Sequence, residues 1–193
     1  LIVMAMLQNS FQNSSISQTI AKVLGSEVDF LMPPLSPLEL TIGFIFGAVT
    51  RGVIVGAIAA TGIHFSGLAD LSVVHIWPII WFGLMATIFL AAIGAMGGIW
   101  ADKFDHLAAV SNFVIVPLTF LSGTFYDINV LVEPFKSAAY FDPIFFLIDG
   151  FRYGFLDAAN SNIMTGVLVS GASAFLASAG VWWMLRSGYK LKA

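Results

Sequence analysis

Long apolar segments alternate with short charged loops along most of this chain. Four of them, residues 40–63, 76–100, 107–126 and 158–185, are long enough for a helix to cross a bilayer, which takes about 20 mostly apolar residues. Residues 1–21 also lack charge, although amides and hydroxyls crowd their second half. The pattern predicts an all-α membrane protein, a helical bundle with five visible spans in a single transmembrane domain.

Residues 127–157 are almost as apolar as these segments, yet they cannot form a continuous span. Charged residues and two prolines, Pro134 and Pro143, interrupt them at short intervals. Irregular backbone at membrane depth is tolerated only where protein or a water-filled cavity surrounds it. We therefore predict two short helical pieces, residues 130–141 and 144–155, forming a re-entrant hairpin at one membrane face before the last span.

The basic residues predict the orientation of the bundle. Lys and Arg are enriched in cytoplasmic loops of membrane proteins. If the loop of residues 22–39 is cytoplasmic, only Lys136 and Arg152 lie outside and Arg51 lies within a span. Five basic residues then lie inside, namely Lys22, Lys103, Arg186, Lys190 and Lys192. The hairpin is thus expected on the outer side and the C-terminus in the cytoplasm.

Composition supports a membrane protein and argues against an enzyme. Hydrophobic residues make up 59% of the 193 residues and charged residues only 10%, whereas soluble domains carry about 25% charged residues. Without cysteine, a disulfide framework and a thiolate metal site are excluded. The chain has no Gly-Lys dipeptide and hence no phosphate-binding loop for ATP, and no metal-ligand set stands out.

Small residues and one proline predict local features of two spans. The pairs Gly43/Gly47 and Gly52/Gly56 have the four-residue spacing that lets membrane helices approach closely. Pro117 lies inside the segment 107–126, where it removes one helical hydrogen bond. We expect it to produce a bend or a hinge in that span.

Several short strings in the last third of the chain occur in a fixed order. They are LSGTFY at residues 121–126, Pro134-Phe135, Asp142-Pro143 and DGFRYG at residues 149–154. Together they resemble the C-terminal signature of the ABC-2 permeases, the transmembrane subunits of type-2 ABC exporters, with Val132 and Asp142 as departures from the usual Pro and Asn. The resemblance implies a six-span subunit, so that an interfacial helix and a first span are expected to precede Leu1.

The resemblance also implies a contact with an ATPase. In this family the loop at the place of residues 22–39 carries a coupling helix that docks into a groove of the ATP-hydrolysing subunit. Carried over to this sequence, the candidate contacts are Gly25, Glu27, Asp29, Phe30 and Leu31. The alternative is that this loop only connects two spans.

Polar residues within the spans are the candidates for a translocation pathway. On the first segment these are Gln8, Asn9, Gln12 and Asn13. They line a polar pathway, or they pack against neighbouring helices as polar side chains often do in membranes. Arg51 lies too deep in its span for easy contact with water, and such residues usually face a bundle interior, a cavity or a partner. It is a candidate for binding a substrate headgroup or for an ion pair between helices.

The hairpin supplies the candidates for an outer gate, which are Phe125, Tyr126, Asp149 and Arg152. Asp149 and Arg152 are three residues apart, so they share one helical face and can pair. The pair either marks the gate or only neutralises itself in apolar surroundings.

These observations predict a non-catalytic permease subunit of an ATP-driven exporter in the bacterial inner membrane. The resemblance implies half of a pathway for an amphipathic, drug-like, lipid-linked or polysaccharide substrate. It also implies a second copy of the chain and an ATPase subunit that holds ATP and Mg²⁺. We expect contact with membrane lipid and none with nucleic acid. The alternative is a membrane scaffold or a passive channel subunit without an ATPase partner.

Overall fold

A computed structural model describes residues 1–24, 35–67, 72–123 and 135–190, and every regular element in these ranges is helical. The helices are α1 (Ile2–Val23), α2 (Pro37–Ser66), α3 (Ile76–Trp100), α4 (Phe104–Leu121), α5 (Phe135–Phe141), α6 (Pro143–Leu156) and α7 (Ile163–Ser187). The prediction of an all-α protein is confirmed for this part of the chain.

Four of the described helices, α2, α3, α4 and α7, are long and apolar enough to cross a membrane. Helix α1 has 22 residues but does not qualify, because its amides and hydroxyls lower its hydropathy. The described residues thus support multiple spans, while the count of five stays a prediction.

Helix α3 is the centre of the bundle, with α1, α2, α6 and α7 packed around it. Its buried face is rich in small residues, so neighbouring backbones come very near. A Cβ atom at Gly94 would lie 2.5 Å from the carbonyl oxygen of Phe11, and one at Gly98 would lie 2.8 Å from that of Ser15. Gly94 and Gly98 therefore form the close-approach pair between α1 and α3.

Of the two glycine pairs predicted to permit close packing, only one does so among the described residues. Gly52 lies against Ser10 and Gly56 against Met6, which brings α2 onto α1. Gly43 and Gly47 face open space, since a Cβ atom at either position would have no described neighbour within 4 Å. The Gly52/Gly56 pair lets α2 pack closely against α1, whereas the Gly43/Gly47 pair contacts no other described helix.

The contacts between helix ends fix the directions of the helices and define two ends of the bundle. Lys22 at the end of α1 and Lys190 after α7 both bind carbonyl oxygens at the C-terminus of α3, and we call this the lysine end. At the opposite end, backbone N–H groups of Val74 and His75 donate to the carbonyl oxygen of Gly154 in α6, at 3.0 Å each, and we call this the hairpin end. Helices α1, α3 and α7 run from the hairpin end to the lysine end.

Helix α4 is interrupted where its proline requires it. An α-helical turn, Phe104–Val110, leads into a π-helical segment, Ser111–Ile115, and α-helix resumes over Val116–Leu121. Pro117 has no N–H to donate, and its ring crowds the carbonyl four residues earlier. A wider turn directly before a proline relieves this crowding. The predicted irregularity at Pro117 thus takes the form of a π-helical segment.

Two helices begin at prolines, and both starts have a side-chain cap. Helix α2 starts at Pro37, three residues before the predicted span, since Ser36 and Glu39 form a capping box. Helix α6 starts at Pro143, where Asp142 accepts a hydrogen bond of 2.9 Å from the N–H of Ile144. The break between α5 and α6 therefore falls at Asp142.

Candidate functional site

Some predicted site residues fall outside the described part of the chain. These are the coupling candidates Gly25, Glu27, Asp29, Phe30 and Leu31 and two of the gate candidates, Phe125 and Tyr126. Their roles stay predictions.

At the lysine end, two lysines bind the C-terminus of α3. The ammonium group of Lys22 donates to the carbonyl oxygens of Ile99 and, at 3.4 Å, of Ala101. That of Lys190 donates to the carbonyl oxygen of Trp100 at 2.8 Å. The last carbonyls of a helix have no partner within the helix and carry partial negative charge, so cations stabilise them. Three helix ends are thereby joined at one place.

An acidic residue completes this cluster. Asp102, just beyond α3, pairs with Lys190 at 2.9 Å. The hydrogen bond from Lys190 holds the pKa of Asp102 below its usual value. Lys190 itself has a left-handed backbone, with φ of 53°. Such a conformation is uncommon outside glycine, and here it aims the side chain back at α3.

The predicted coupling loop begins directly beside this cluster. Gly25, its first candidate, follows Lys22 by three residues along the chain. Lys22 is tied to α3 through two backbone carbonyls. Any displacement at the start of that loop therefore acts on α1 and α3 together.

The polar side chains of α1 divide between two faces of the helix. Five of them are buried, namely Ser10, Ser14, Ser15, Gln18 and Thr19. The predicted pathway residues are different ones, with Gln12 exposed and Gln8, Asn9 and Asn13 half-buried. We call Asn9, Gln12 and Asn13 together the amide face. The predicted pathway residues are thus not the buried ones, and their role in lining a pathway stays a prediction.

The buried polar face of α1 is not fully hydrogen-bonded. Ser15 and Thr19 donate to carbonyl oxygens one turn back, at 2.8 Å and 3.1 Å. The hydroxyls of Ser10 and Ser14 and the amide nitrogen of Gln18 have no partner among the described residues. These three occur at intervals of four, so they form a stripe along the helix.

Arg51 does not face the interior of the described chain. It is exposed on α2 and forms no salt bridge with another described residue. The interhelical ion pair considered from the sequence is therefore not formed within this part of the chain. An exposed guanidinium about 21 Å along α2 from Pro37 lies far from either end of that helix.

At the hairpin end, Asp149 is the centre of a buried network. The residue is 1% exposed, and its carboxylate accepts a hydrogen bond of 2.7 Å from Arg152, so the pair predicted from the spacing is present. It also accepts bonds from the N–H of Asn160 at 3.0 Å, the N–H of Ser161 at 2.9 Å and the hydroxyl of Ser161 at 2.8 Å. Asp149 thus holds the loop between α6 and α7.

Two further carboxylates connect helices at this end. Asp157 binds His75 at 2.9 Å, and Asp142 accepts a bond of 2.8 Å from the hydroxyl of Ser122 at the end of α4. Burial raises the pKa of Asp142, while the bonds from Ser122 and Ile144 act in the opposite direction. These partners could not be identified from the sequence, because residues 20 to 82 positions apart show no common pattern.

No group of three or more His, Cys, Asp or Glu residues that could hold a metal ion occurs in the described ranges. The carboxylates at the hairpin end are each engaged with a different helix or loop. The arrangement at both ends fixes helix positions and provides no reactive centre within the described residues.

Comparison with known proteins identifies the family. Residues 1–156 match the family described as ABC-2 type transporter. The chain is 31% identical over 197 residues to the inner membrane transport permease YadH of Escherichia coli strain K12, covering 100% of this chain and 75% of that protein. Proteins of the same name from E. coli O157:H7 and Shigella flexneri match to the same extent. No solved structure matches the chain.

The chain therefore belongs to the ABC-2 type transporter family. It is a permease, a non-catalytic transmembrane subunit of the inner membrane, and ATP is bound and hydrolysed by a partner ATPase subunit rather than by this chain.

Proposed function

We propose that this chain forms half of the translocation pathway of an ATP-driven exporter, with the ATPase bound at the lysine end. The amide face of α1 is the observation that carries this proposal. Gln12 is exposed and Asn9 and Asn13 are half-buried beside it, although lipid does not solvate amides well. A polar stripe on the surface of a membrane subunit is stable when it faces water or a second polar subunit.

The direction of α1 supports five crossings in place of four. At about 1.5 Å per residue, its 22 residues are about 33 Å long, enough for a hydrocarbon core of about 30 Å. Met6 lies near Gly83 and Lys22 near Ile99, so α1 runs beside α3 from one end to the other. Because α3 is a candidate span, α1 crosses the same layer with its amide face turned to the pathway.

Helices α5 and α6 act in this proposal as a re-entrant hairpin that closes the outer side. They are too short to cross a bilayer, with 7 and 14 residues. Helix α6 packs against α3 and α7 at the end opposite the lysines. If the lysine end is cytoplasmic, the hairpin end is the place where a cargo leaves.

Two copies of the chain and an ATPase dimer complete the exporter in this account. Closure of the ATPase pulls on the coupling loop at Glu27, Asp29 and Phe30, and Lys22 passes the displacement to α3. The substrate class is amphipathic, drug-like, lipid-linked or polysaccharide, entering from the cytoplasm or the inner leaflet. Transport as a function is supported by the relatives, which are called inner membrane transport permeases.

Purification of the tagged full chain from its own host tests the coupling contact. We expect an ATPase subunit and Mg-ATP hydrolysis to co-purify, and the double variant Glu27→Lys, Asp29→Lys to lose both. Asp70→Lys, a charge reversal in the loop predicted on the other side, is the matched control and should keep both. A chain that purifies alone and without ATP hydrolysis in every case favours the scaffold or passive channel.

Cysteine accessibility tests the pathway face, since the chain contains no cysteine. In vesicles, the Gln12→Cys variant should react with a water-soluble maleimide, because its side chain faces an aqueous path. Ile58→Cys, on the exposed apolar surface of α2, should stay unreactive. Equal protection of both positions would contradict a pathway along α1.

A further inference from the structure

A wide apolar groove runs between α2 and α7, with α3 as its floor. Its volume is about 710 Å³, which lies within the range of sites that bind small molecules. Leu38, Ile42 and Phe46 form one wall, Phe175 and Trp182 the other, and Leu84 lies at the floor. Phe46 and Phe175 are 70% and 73% exposed, so the rims open sideways from the subunit.

The length of the groove corresponds to one leaflet of a membrane. Along α2 it extends from Leu38 to Val49, which is about 16 Å at 1.5 Å per residue. Half of the hydrocarbon core of a bilayer is about 15 Å. Leu38 is the second residue of α2, so the groove begins at the lysine end and finishes near the middle of the bundle.

A cation lies at the open mouth of this groove. The guanidinium carbon of Arg186 is 5.0 Å from the ring centre of Trp182, which lines the groove. Arg186 is exposed and forms no salt bridge with another described residue. A Trp and an Arg together at the end of a span are suited to the headgroup layer, and basic sites on the cytoplasmic side bind anionic headgroups.

We propose that the groove between α2 and α7 binds an anionic phospholipid of the cytoplasmic leaflet. One acyl chain lies along Ile42 and Phe46, and the lipid phosphate pairs with Arg186. The assignment to the cytoplasmic leaflet rests on the orientation in the proposed function. The apolar walls account for the binding of the acyl chain, and Arg186 accounts for the preference for a negatively charged headgroup.

A second copy of the chain fits this groove less well than a lipid does. No described residue of α1 lines the groove, whereas the proposed pathway and its partner copy lie on the amide face of α1. The groove therefore lies on a flank that faces the bilayer.

Native mass spectrometry of the full permease, purified with its ATPase and delipidated in detergent, tests this site. Phosphatidylglycerol or phosphatidylcholine is added back and the retained lipid counted. We expect phosphatidylglycerol to be retained more strongly. Arg186→Gln should reduce its retention about fivefold, the effect of one positive charge near an anionic surface. Arg186→Lys should retain most of the binding.

Matched variants separate this site from general effects. Lys103→Gln removes another exposed cation of the same end and should not change lipid retention. Ala179→Trp fills the groove and should remove both lipids, whereas Ile58→Trp, on α2 outside the groove, should not. Size-exclusion profiles establish that each variant is folded.

Three results would overturn the proposal. Equal loss in Arg186→Gln and Lys103→Gln means only non-specific attraction, and unchanged retention in Ala179→Trp places the lipid elsewhere. Loss of the dimer in Ala179→Trp means that a second copy fills the groove. Co-purification of the ATPase is read in the same samples, so failure of the lipid site can be told from failure of the proposed function.

Discussion

The two ends of the bundle are held by opposite chemistry. At the hairpin end, a buried carboxylate accepts hydrogen bonds from an arginine and from the backbone of a loop. At the lysine end, the half-buried ammonium group of Lys22 and the exposed one of Lys190 donate to the carbonyl oxygens that terminate α3. Buried charges are strongly destabilising when their partners are removed, whereas exposed ion pairs are weak and exchange with water.

This difference assigns different tasks to the ends. The hairpin end is a fixed frame, because Asp149 has several partners that water cannot replace. The lysine end, where Lys190 is exposed, can rearrange at lower cost, and the predicted coupling loop begins there. In the proposed mechanism, movement that enters at the lysine end is transmitted through α1 and α3 to the hairpin end.

The largest expected effect is the loss of the buried carboxylate. Asp149→Ala leaves Arg152 and the N–H groups of Asn160 and Ser161 without this acceptor, and we expect a loss of about 3–5 kcal/mol in stability. Asp157→Ala removes a carboxylate that is 59% exposed and should have a much smaller effect. Thermal unfolding in detergent measures both. Equal effects would mean that the hairpin end is not a fixed frame.

The connection between the ends should be the next most sensitive region. Gly94→Ala places a Cβ atom against the backbone oxygen of Phe11, which cannot move aside as a side chain can. We expect a loss of about 1–3 kcal/mol from this overpacking. Gly97→Ala is the matched control, since its Cβ atom meets only Leu107, at an ordinary 3.6 Å. Thermal midpoints of the two variants should differ, and equal values would contradict the close approach of α1 and α3.

Lys22→Met should impair coupling more than stability. The variant removes the hydrogen bonds from α1 to Ile99 and Ala101 but leaves the close packing of α1 against Gly94 and Gly98 intact. We expect several-fold lower ATP hydrolysis by the purified complex with little change in the thermal midpoint, and recovery of activity in Lys22→Arg. A normal rate of hydrolysis in Lys22→Met would remove the lysine end from the coupling path.

The smallest expected effect is a difference in pH response between the ends. Asp102 has a lowered pKa. Its contribution to the free energy of unfolding is therefore present above about pH 3.9, the usual pKa of Asp, and is lost as the pH falls through the pKa of the folded state. Asp142 has a raised pKa, so stability falls as the pH rises from that value through the folded pKa. The free energy of unfolding is measured from about pH 3 to about pH 8 for the unmodified chain and for the variants Asp102→Asn and Asp142→Asn. Each variant should lack the pH dependence that its own carboxylate contributes. If the pH dependences removed by the two variants had the same sign, the opposite pKa shifts of Asp102 and Asp142 would be contradicted.

Hydrophobic pattern and turn residues predict much of the fold. The apolar run at residues 76–100 coincides with α3, and the break at Asp142-Pro143 separates α5 from α6. These features are local, because a helix and its cap depend on residues within a few positions. The start of α2 at Pro37 differs from the predicted bound by three residues because the capping box decides it, and the start predicted for α5 lies outside the described residues.

The tertiary part of the site could not be predicted in the same way. Gly94 and Gly98 have the same spacing as the glycine pairs noted in α2, but only the structure shows which pair meets a backbone. Lys190 binds Trp100 across 90 positions, and the two faces of α1 differ only in what packs against them. Neither feature leaves a periodic signal in the sequence.

The side of the membrane on which residues 22–39 lie tests the central claim most directly. A single cysteine introduced as Asp29→Cys can be labelled with a membrane-impermeant maleimide in intact spheroplasts and in inverted vesicles. We predict labelling in inverted vesicles alone, and protection from it when the ATPase subunit is bound. Labelling in intact spheroplasts, or no protection by the ATPase, would contradict a permease driven from its lysine end.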